Sequence, residues 1–175
     1  MPSRPLRQPP APLLDVQALF REYVRLDRKQ RQDALSPREL ERWSELKRRL
    51  NATFSPPERP EHEEQRGSVR VPVRLRVAFE SEGELKRCLL TNLSRGGVFV
   101  NTAAPPPIGT QLVLRIALAY EGREVEVPGE VVSHGVGRSF DTHRPGMGVK
   151  FLDPSPEALT LLDRLYEGAL DRHPK

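Results

Sequence analysis

The chain has 175 residues, 28 Lys and Arg against 24 Asp and Glu, 37% hydrophobic residues and one cysteine. That length suits one full domain with an appendage, and the composition is polar but not that of a wholly disordered chain. No run of about 18 apolar residues exists to make a membrane-spanning helix, and the lone Cys88 excludes an internal disulfide and a thiolate zinc site.

The first residues carry arginines without the apolar core of a secretory signal, so the expected setting is reduced and cytoplasmic. Of the 28 basic residues, 23 are arginine, and they are unevenly placed. Residues 1–60 carry net +5, whereas residues 61–175 carry net −1. A general nucleic-acid binder concentrates positive charge on its folded domain. The larger segment here is nearly neutral, so no specific nucleic acid is expected. An anion site there must be built from a few placed arginines, whose planar forks suit phosphates and guanines.

Residues 1–11 are Pro-rich and predict a disordered tail. Residues 12–54 predict two helices. Leu13, Val16, Leu19, Phe20, Tyr23, Val24 and Leu26 recur at spacings of three and four. Ser36-Pro37-Arg38-Glu39 announces the second helix with a capping box and an N-terminal proline. Leu40, Trp43, Leu46 and Leu50 then line one face. The short connection around Asp33–Leu35 predicts an antiparallel helical hairpin. Two helices bury little apolar surface, so the hairpin must pack on its own barrel or on another copy. Self-association through residues 12–54 is the expectation.

Residues 55–65 are Pro- and charge-rich and predict a linker. Residues 66–175 then change period to two. Strands are expected over 71–79, 85–93, 97–101, 111–119, 124–134 and 146–152. Glu82-Gly83, the run Pro105-Pro106-Pro107-Ile108-Gly109 and Glu121-Gly122 supply turns. Six short strands so spaced predict a mainly β protein built on a small antiparallel barrel. Residues 154–170 return to helical period and predict a terminal helix.

Catalytic signatures are missing. No HExxH, GxSxG, P-loop or GxGxxG occurs, and nothing assembles a nucleophile, base and orienter, so no enzyme is expected. His134 and His143 flank a glycine-containing segment but lack a third ligand, so no metal is expected either. Cys88 sits beside Leu89 and Leu90, as a structural thiol would.

Two features point to an anion. Arg66 and Arg70 stand four apart where the linker enters the first strand. The spacing alone means little, because 23 arginines in 175 positions give roughly three such pairs by chance, and the chain has four. The location distinguishes this pair. Arg70 and Arg74 satisfy the same spacing, but Arg74 falls inside the strand and is assigned mainly to structure. The second feature is Asn92-Leu93-Ser94-Arg95-Gly96-Gly97 between two expected strands. Asn and Ser shape turns, and glycines admit positive φ. This composition predicts the [DN]xSxxG pattern only about 0.04 times.

The order Arg66-xxx-Arg70-Val71-Pro72-Val73, then Asn92-x-Ser94-x-x-Gly97, then Gly146-Met147-Gly148-Val149-Lys150-Phe151 before Ser155-Pro156-Glu157 and a helix, resembles the PilZ domain. The resemblance covers about residues 66–171 and leaves residues 1–55 outside. It implies a six-stranded antiparallel β-barrel with a C-terminal helix that binds the bacterial second messenger cyclic di-GMP. Carried over, Arg66 and Arg70 would engage guanine and phosphate, and Asn92, Ser94 and Gly97 would line the other side. Gln65, Arg95 and Gly96 are additional candidates. The implied role is a ligand-gated adaptor without cofactor, acting on an unidentified protein partner in motility or exopolysaccharide control. A ligand-independent scaffold assembling through its helical hairpin is the alternative.

Overall fold

A computed structural model describes residues 13–54, 67–118, 121–139 and 142–171. The expected tail at 1–11 and linker at 55–65 lie outside the described residues. The chain divides into two units, Met1–Leu50 and Asn51–Lys175.

The first unit holds α1 (Leu13–Gln32) and most of α2 (Pro37–Phe54). The amphipathic stripes read from the sequence bury Phe20, Tyr23, Val24, Leu26, Leu46 and Leu50. The capping box forms as expected. Glu39 N donates to Ser36 Oγ at 3.3 Å, and Ser36 N donates to Glu39 Oε2 at 3.0 Å. The helices run antiparallel, because partners ascend on one as they descend on the other. Lys29 Nζ donates to Glu39 Oε1 at 2.7 Å, and Arg42 Nε donates to Glu22 Oε1 at 2.8 Å. The Tyr23 and Trp43 rings stack at 6.2 Å. Asp27 is buried and accepts from Trp43 Nε1 at 3.3 Å and Tyr23 Oη at 3.4 Å. Leu40 departs from the expected stripe and is exposed. It lies in the first turn of α2, next to Glu39, which accepts from Lys29. Among the described residues, no helix is long and apolar enough to cross a membrane.

The second unit is a closed antiparallel barrel in the order β1 (Val71–Ser81), β2 (Glu84–Leu93), β3 (Gly97–Asn101), β6 (Thr142–Phe151), β5 (Arg123–Ser139), β4 (Gln111–Leu118), with β4 pairing back to β1. The barrel closes through Val77↔Ile116 and Ala78↔Arg115, which pairs what would otherwise be the two edge strands. Inward side chains include Val77, Phe79, Leu90, Leu93, Val98, Val100, Leu114, Ile116, Val127, Val131, Met147 and Val149, all buried. The three expected turns each contain a glycine with positive φ: Gly83 at 79°, Gly109 at 94° and Gly122 at 63°. Glu82 at φ 54° and Gly83 give the paired left-handed residues that a two-residue β-hairpin prefers.

β5 and β6 run further than the sequence indicated. Their ladder continues through Gly135↔Gly146, Gly137↔Arg144 and Arg138↔His143 to Ser139↔Thr142. Apolar alternation signals a strand only where one face is buried. Antiparallel pairing itself needs only backbone groups, so this ribbon forms without that signal. α3 (Pro156–Glu167) ends the fold. Ser155 Oγ accepts from Ala158 N at 3.1 Å, and Ala158, Leu161, Leu162, Leu165 and Tyr166 form its buried face.

Candidate ligand-binding site

Arg70 and the Asn92–Gly97 segment meet at one end of the barrel. The ladder between β1 and β2 ends with Val71↔Leu93 and Pro72↔Asn92. Exposed Arg70 therefore stands one residue before the pair that leads into the 94–96 turn. Two further bonds fix the approach. Arg95 N donates to Ser68 Oγ at 3.2 Å, and Tyr166 Oη donates to the carbonyl of buried Val69 at 2.8 Å.

Ser94 builds the turn itself. Its backbone N–H donates to Gly97 O at 2.9 Å, and its hydroxyl donates to the same carbonyl at 3.2 Å. The hydroxyl proton is thus committed inside the protein, and the oxygen lone pairs remain available to accept from a donor. Gly97 is required by close approach rather than by backbone angle. A Cβ there would run into Val149 O, the backbone of the neighbouring β6. Gly97 pairs with Lys150, and Phe151 N donates to Gly96 O at 2.9 Å. Gly96 has open space around it. Neither glycine has positive φ, so of the two uses a glycine offers here, close backbone approach and a left-handed angle, Gly97 serves the first.

Asn92 lies on the outer face in a row crossing five strands: Pro72↔Asn92, Asn92↔Phe99, Phe99↔Gly148 and Gly148↔Ser133. Glycines flatten this face. A Cβ at Gly146 would meet the Phe99 ring, and one at Gly148 would meet Ser133 Oγ. Half-buried Phe99, with Ser133, therefore extends the outer surface beyond Asn92. Sequence reading did not single out Phe99 or Ser133. The signal was the period-two glycines at 146 and 148, which mark one strand face lacking side chains.

Of the candidate residues, Arg70, Asn92, Ser94 and Gly97 are brought together at this end. Arg66 and Gln65 lie outside the described residues. Arg95 turns away from the outer face toward α3. Its side chain is 12% exposed, its Nη1 donates to Asp163 Oδ1 at 2.7 Å, and its guanidinium lies 4.7 Å from the Tyr166 ring centroid. Arg74 is exposed on β1.

His134 and His143 are not partners in the β5–β6 register. His134 pairs with Met147 and its Nε2 lies 2.6 Å from Pro106 O, whereas His143 pairs with Arg138. Among the described residues, no group of three potential metal ligands occurs. Half-buried Cys88 pairs with Val77 in the β1–β2 ladder, and burial pushes its thiol pKa up, the direction of an unreactive cysteine.

A closed six-stranded barrel whose arginine-led first strand abuts an Asn-x-Ser-x-x-Gly turn is the architecture of a PilZ-type module. Residues 64–168 match the PilZ domain family, and the chain belongs to that family. Among solved structures, the chain is similar to the "PilZ domain with c-di-GMP of YcgR from Escherichia coli", at TM-score 0.51 and 17% identity over 60% of this chain and 91% of that one. It is also similar to the Bacillus subtilis inhibitor of motility MotI/DgrA, at TM-score 0.51 and 23% identity over 62% of this chain and 53% of that one. The chain thus spans about half the length of the second protein. At these identities the likeness is one of fold. No curated protein matches the chain.

Proposed function

We propose that the barrel is a receptor for cyclic di-GMP that acts by binding and not by turnover. The observation that carries this reading is the meeting of Arg70 with the Asn92–Gly97 turn at one barrel end, joined by Arg95 N donating to Ser68 Oγ at 3.2 Å. Family membership supports the same ligand, as does the c-di-GMP present with the similar YcgR domain.

The chemistry suits it. The ligand carries two phosphate charges and two guanines. An arginine fork can donate twice to guanine O6 and N7, or twice to a phosphate, and its plane can stack on a purine. Arg70 and Arg66 take these roles. Asn92 bonds a guanine edge through its amide, and Ser94 accepts through its oxygen. Gly97 keeps β3 against β6, so that the turn holds its shape. The output is either altered self-association through residues 12–54 or a surface exposed to a protein partner. The ligand drives either one only by its differential affinity for the two states.

Titration calorimetry with cyclic di-GMP, using GTP as comparison, tests the reading. Saturable and selective binding with Kd near micromolar or tighter, about −8 kcal/mol, is expected. Absence of binding at high concentration would leave the barrel as a ligand-independent scaffold. Hydrolysis of the dinucleotide by the purified protein would contradict a purely binding role.

A further inference from the structure

The segment that carries Arg70 is held by α3. Gly67, Ser68, Val69 and Arg70 precede the first ladder pair, Val71↔Leu93, so the β1–β2 ladder does not align them. Tyr166 Oη bonds Val69 O at 2.8 Å inside the protein. Arg95 N bonds Ser68 Oγ at 3.2 Å from the other side. The Arg95 side chain then closes the circuit. It stacks over the Tyr166 ring at 4.7 Å and reaches Asp163 at 2.7 Å and Glu167 at 3.5 Å. One helix therefore grips both motif segments, one through a phenol and the other through a guanidinium. Arginine suits this position because its plane stacks while its edges pair with two carboxylates.

We propose that Arg95 and Tyr166 are positioning residues for the ligand site, and that α3 sets ligand affinity by clamping residues 67–70 onto the 92–97 turn. The part concerning affinity rests on the cyclic di-GMP reading; the clamp itself does not. A site that is only fractionally assembled binds with affinity reduced by that fraction. Holding Arg70 beside Asn92 and Ser94 before ligand arrives removes that loss. Asp163 and Glu167 stand one helical turn apart on α3, so their carboxylates act on the guanidinium as a pair.

Tyr166→Phe is the cleanest probe. It keeps the ring and its stacking on Arg95 but leaves the buried Val69 carbonyl without its phenolic donor. Arg95→Gln removes charge and stacking, and Arg95→Lys restores charge without the planar fork. Asp163→Asn, at a half-exposed edge, weakens the same grip without touching the core. Thermal melts confirm that each variant folds.

Amide hydrogen exchange on the ligand-free protein reads the clamp directly. Exchange in residues 67–70 is expected to accelerate in Tyr166→Phe and Arg95→Gln while β4 and β5 stay as in the parent. Cyclic di-GMP affinity should fall by roughly threefold to tenfold in Tyr166→Phe, and further in Arg95→Gln, with part of that loss recovered by Arg95→Lys.

Unchanged exchange in 67–70 overturns the clamp whether or not the nucleotide binds. Faster exchange with parental affinity, while Arg70→Ala still loses binding, overturns its role in affinity and leaves the receptor reading intact. Faster exchange in the variants of a parent protein that binds no cyclic di-GMP upholds the clamp and sinks only the choice of ligand.

Discussion

The helical hairpin and the barrel are specified by different parts of the chain. The barrel is fixed by backbone. Six strands close on themselves, three turn glycines supply left-handed angles, and Gly97 and Gly146 let strands approach where a Cβ would strike Val149 O or Val100 O. The hairpin is fixed by side chains. Its stripe is apolar, and its flank is a set of ion pairs: exposed Lys29 with Glu39, and part-buried Arg42 with Glu22 and Glu45. Backbone closure leaves the barrel's outer face free to be shaped for a ligand. The hairpin has no such freedom, because changing its faces changes what it packs against.

Substitutions can break this contrast at graded cost. The largest expected effect is in the hairpin core. Leu46 is fully buried, so Leu46→Ala should cost about 2–5 kcal/mol, read as a lower melting transition in the helical circular dichroism signal. In the barrel the sensitive position is a glycine. Gly97→Val should cost about 1–3 kcal/mol or more by forcing β3 from β6, whereas Gly96→Ala should stay within about 0.5 kcal/mol. Urea denaturation of the two variants separates the alternatives. Equal effects would mean that the motif does not depend on close strand approach.

The smallest effect is electrostatic and belongs to the hairpin. Hydrogen bonds from Lys29 and then from the Ser36 backbone lower the Glu39 pKa from 4.5 to about 2. A lowered native pKa means that the unfolded chain takes the proton first. The contribution of Glu39 is therefore complete above about pH 4.5 and lost as pH falls toward about 2. The ion pair is at the surface, so the effect should be slight and weaker in high salt. A comparison of Glu39→Gln with the parent by helical signal across that range should show the two converging at the acid end. A difference that persists unchanged to about pH 2 would mean the carboxylate charge is not the cause.

Much of the molecule was legible in the sequence, for identifiable reasons. Period-two apolar residues inside the barrel, period-three-and-four stripes on the helices, and the Ser36–Glu39 box are local signals that tertiary structure did not override. The turn glycines at 83, 109 and 122 were visible because no other residue adopts those angles as cheaply. What escaped depends on contacts distant in sequence. Arg95 reads as part of the Asn-x-Ser-x-x-Gly turn, yet its guanidinium is claimed by Asp163, 68 residues away. Asp163 and Glu167 lie in the expected terminal helix, and nothing local in the sequence marks them as partners of Arg95. The β5–β6 ribbon carries no apolar alternation, and that the glycines at 146 and 148 face Phe99 and Ser133 is set by the β3–β6 and β5–β6 registers, which join strands distant in sequence.

If the junction of Arg70 with the Asn92–Gly97 turn is the ligand site, two neighbouring arginines must differ. The most direct test is calorimetric titration of cyclic di-GMP into the parent, Arg70→Ala and Arg74→Ala proteins. Both arginines are exposed and belong to the same spacing, but only Arg70 stands at the motif junction. Loss of about 1–3 kcal/mol of binding free energy is expected for Arg70→Ala, with Arg74→Ala close to the parent. Equal losses, or a larger loss at Arg74, would contradict the assignment and move the site onto the face of β1.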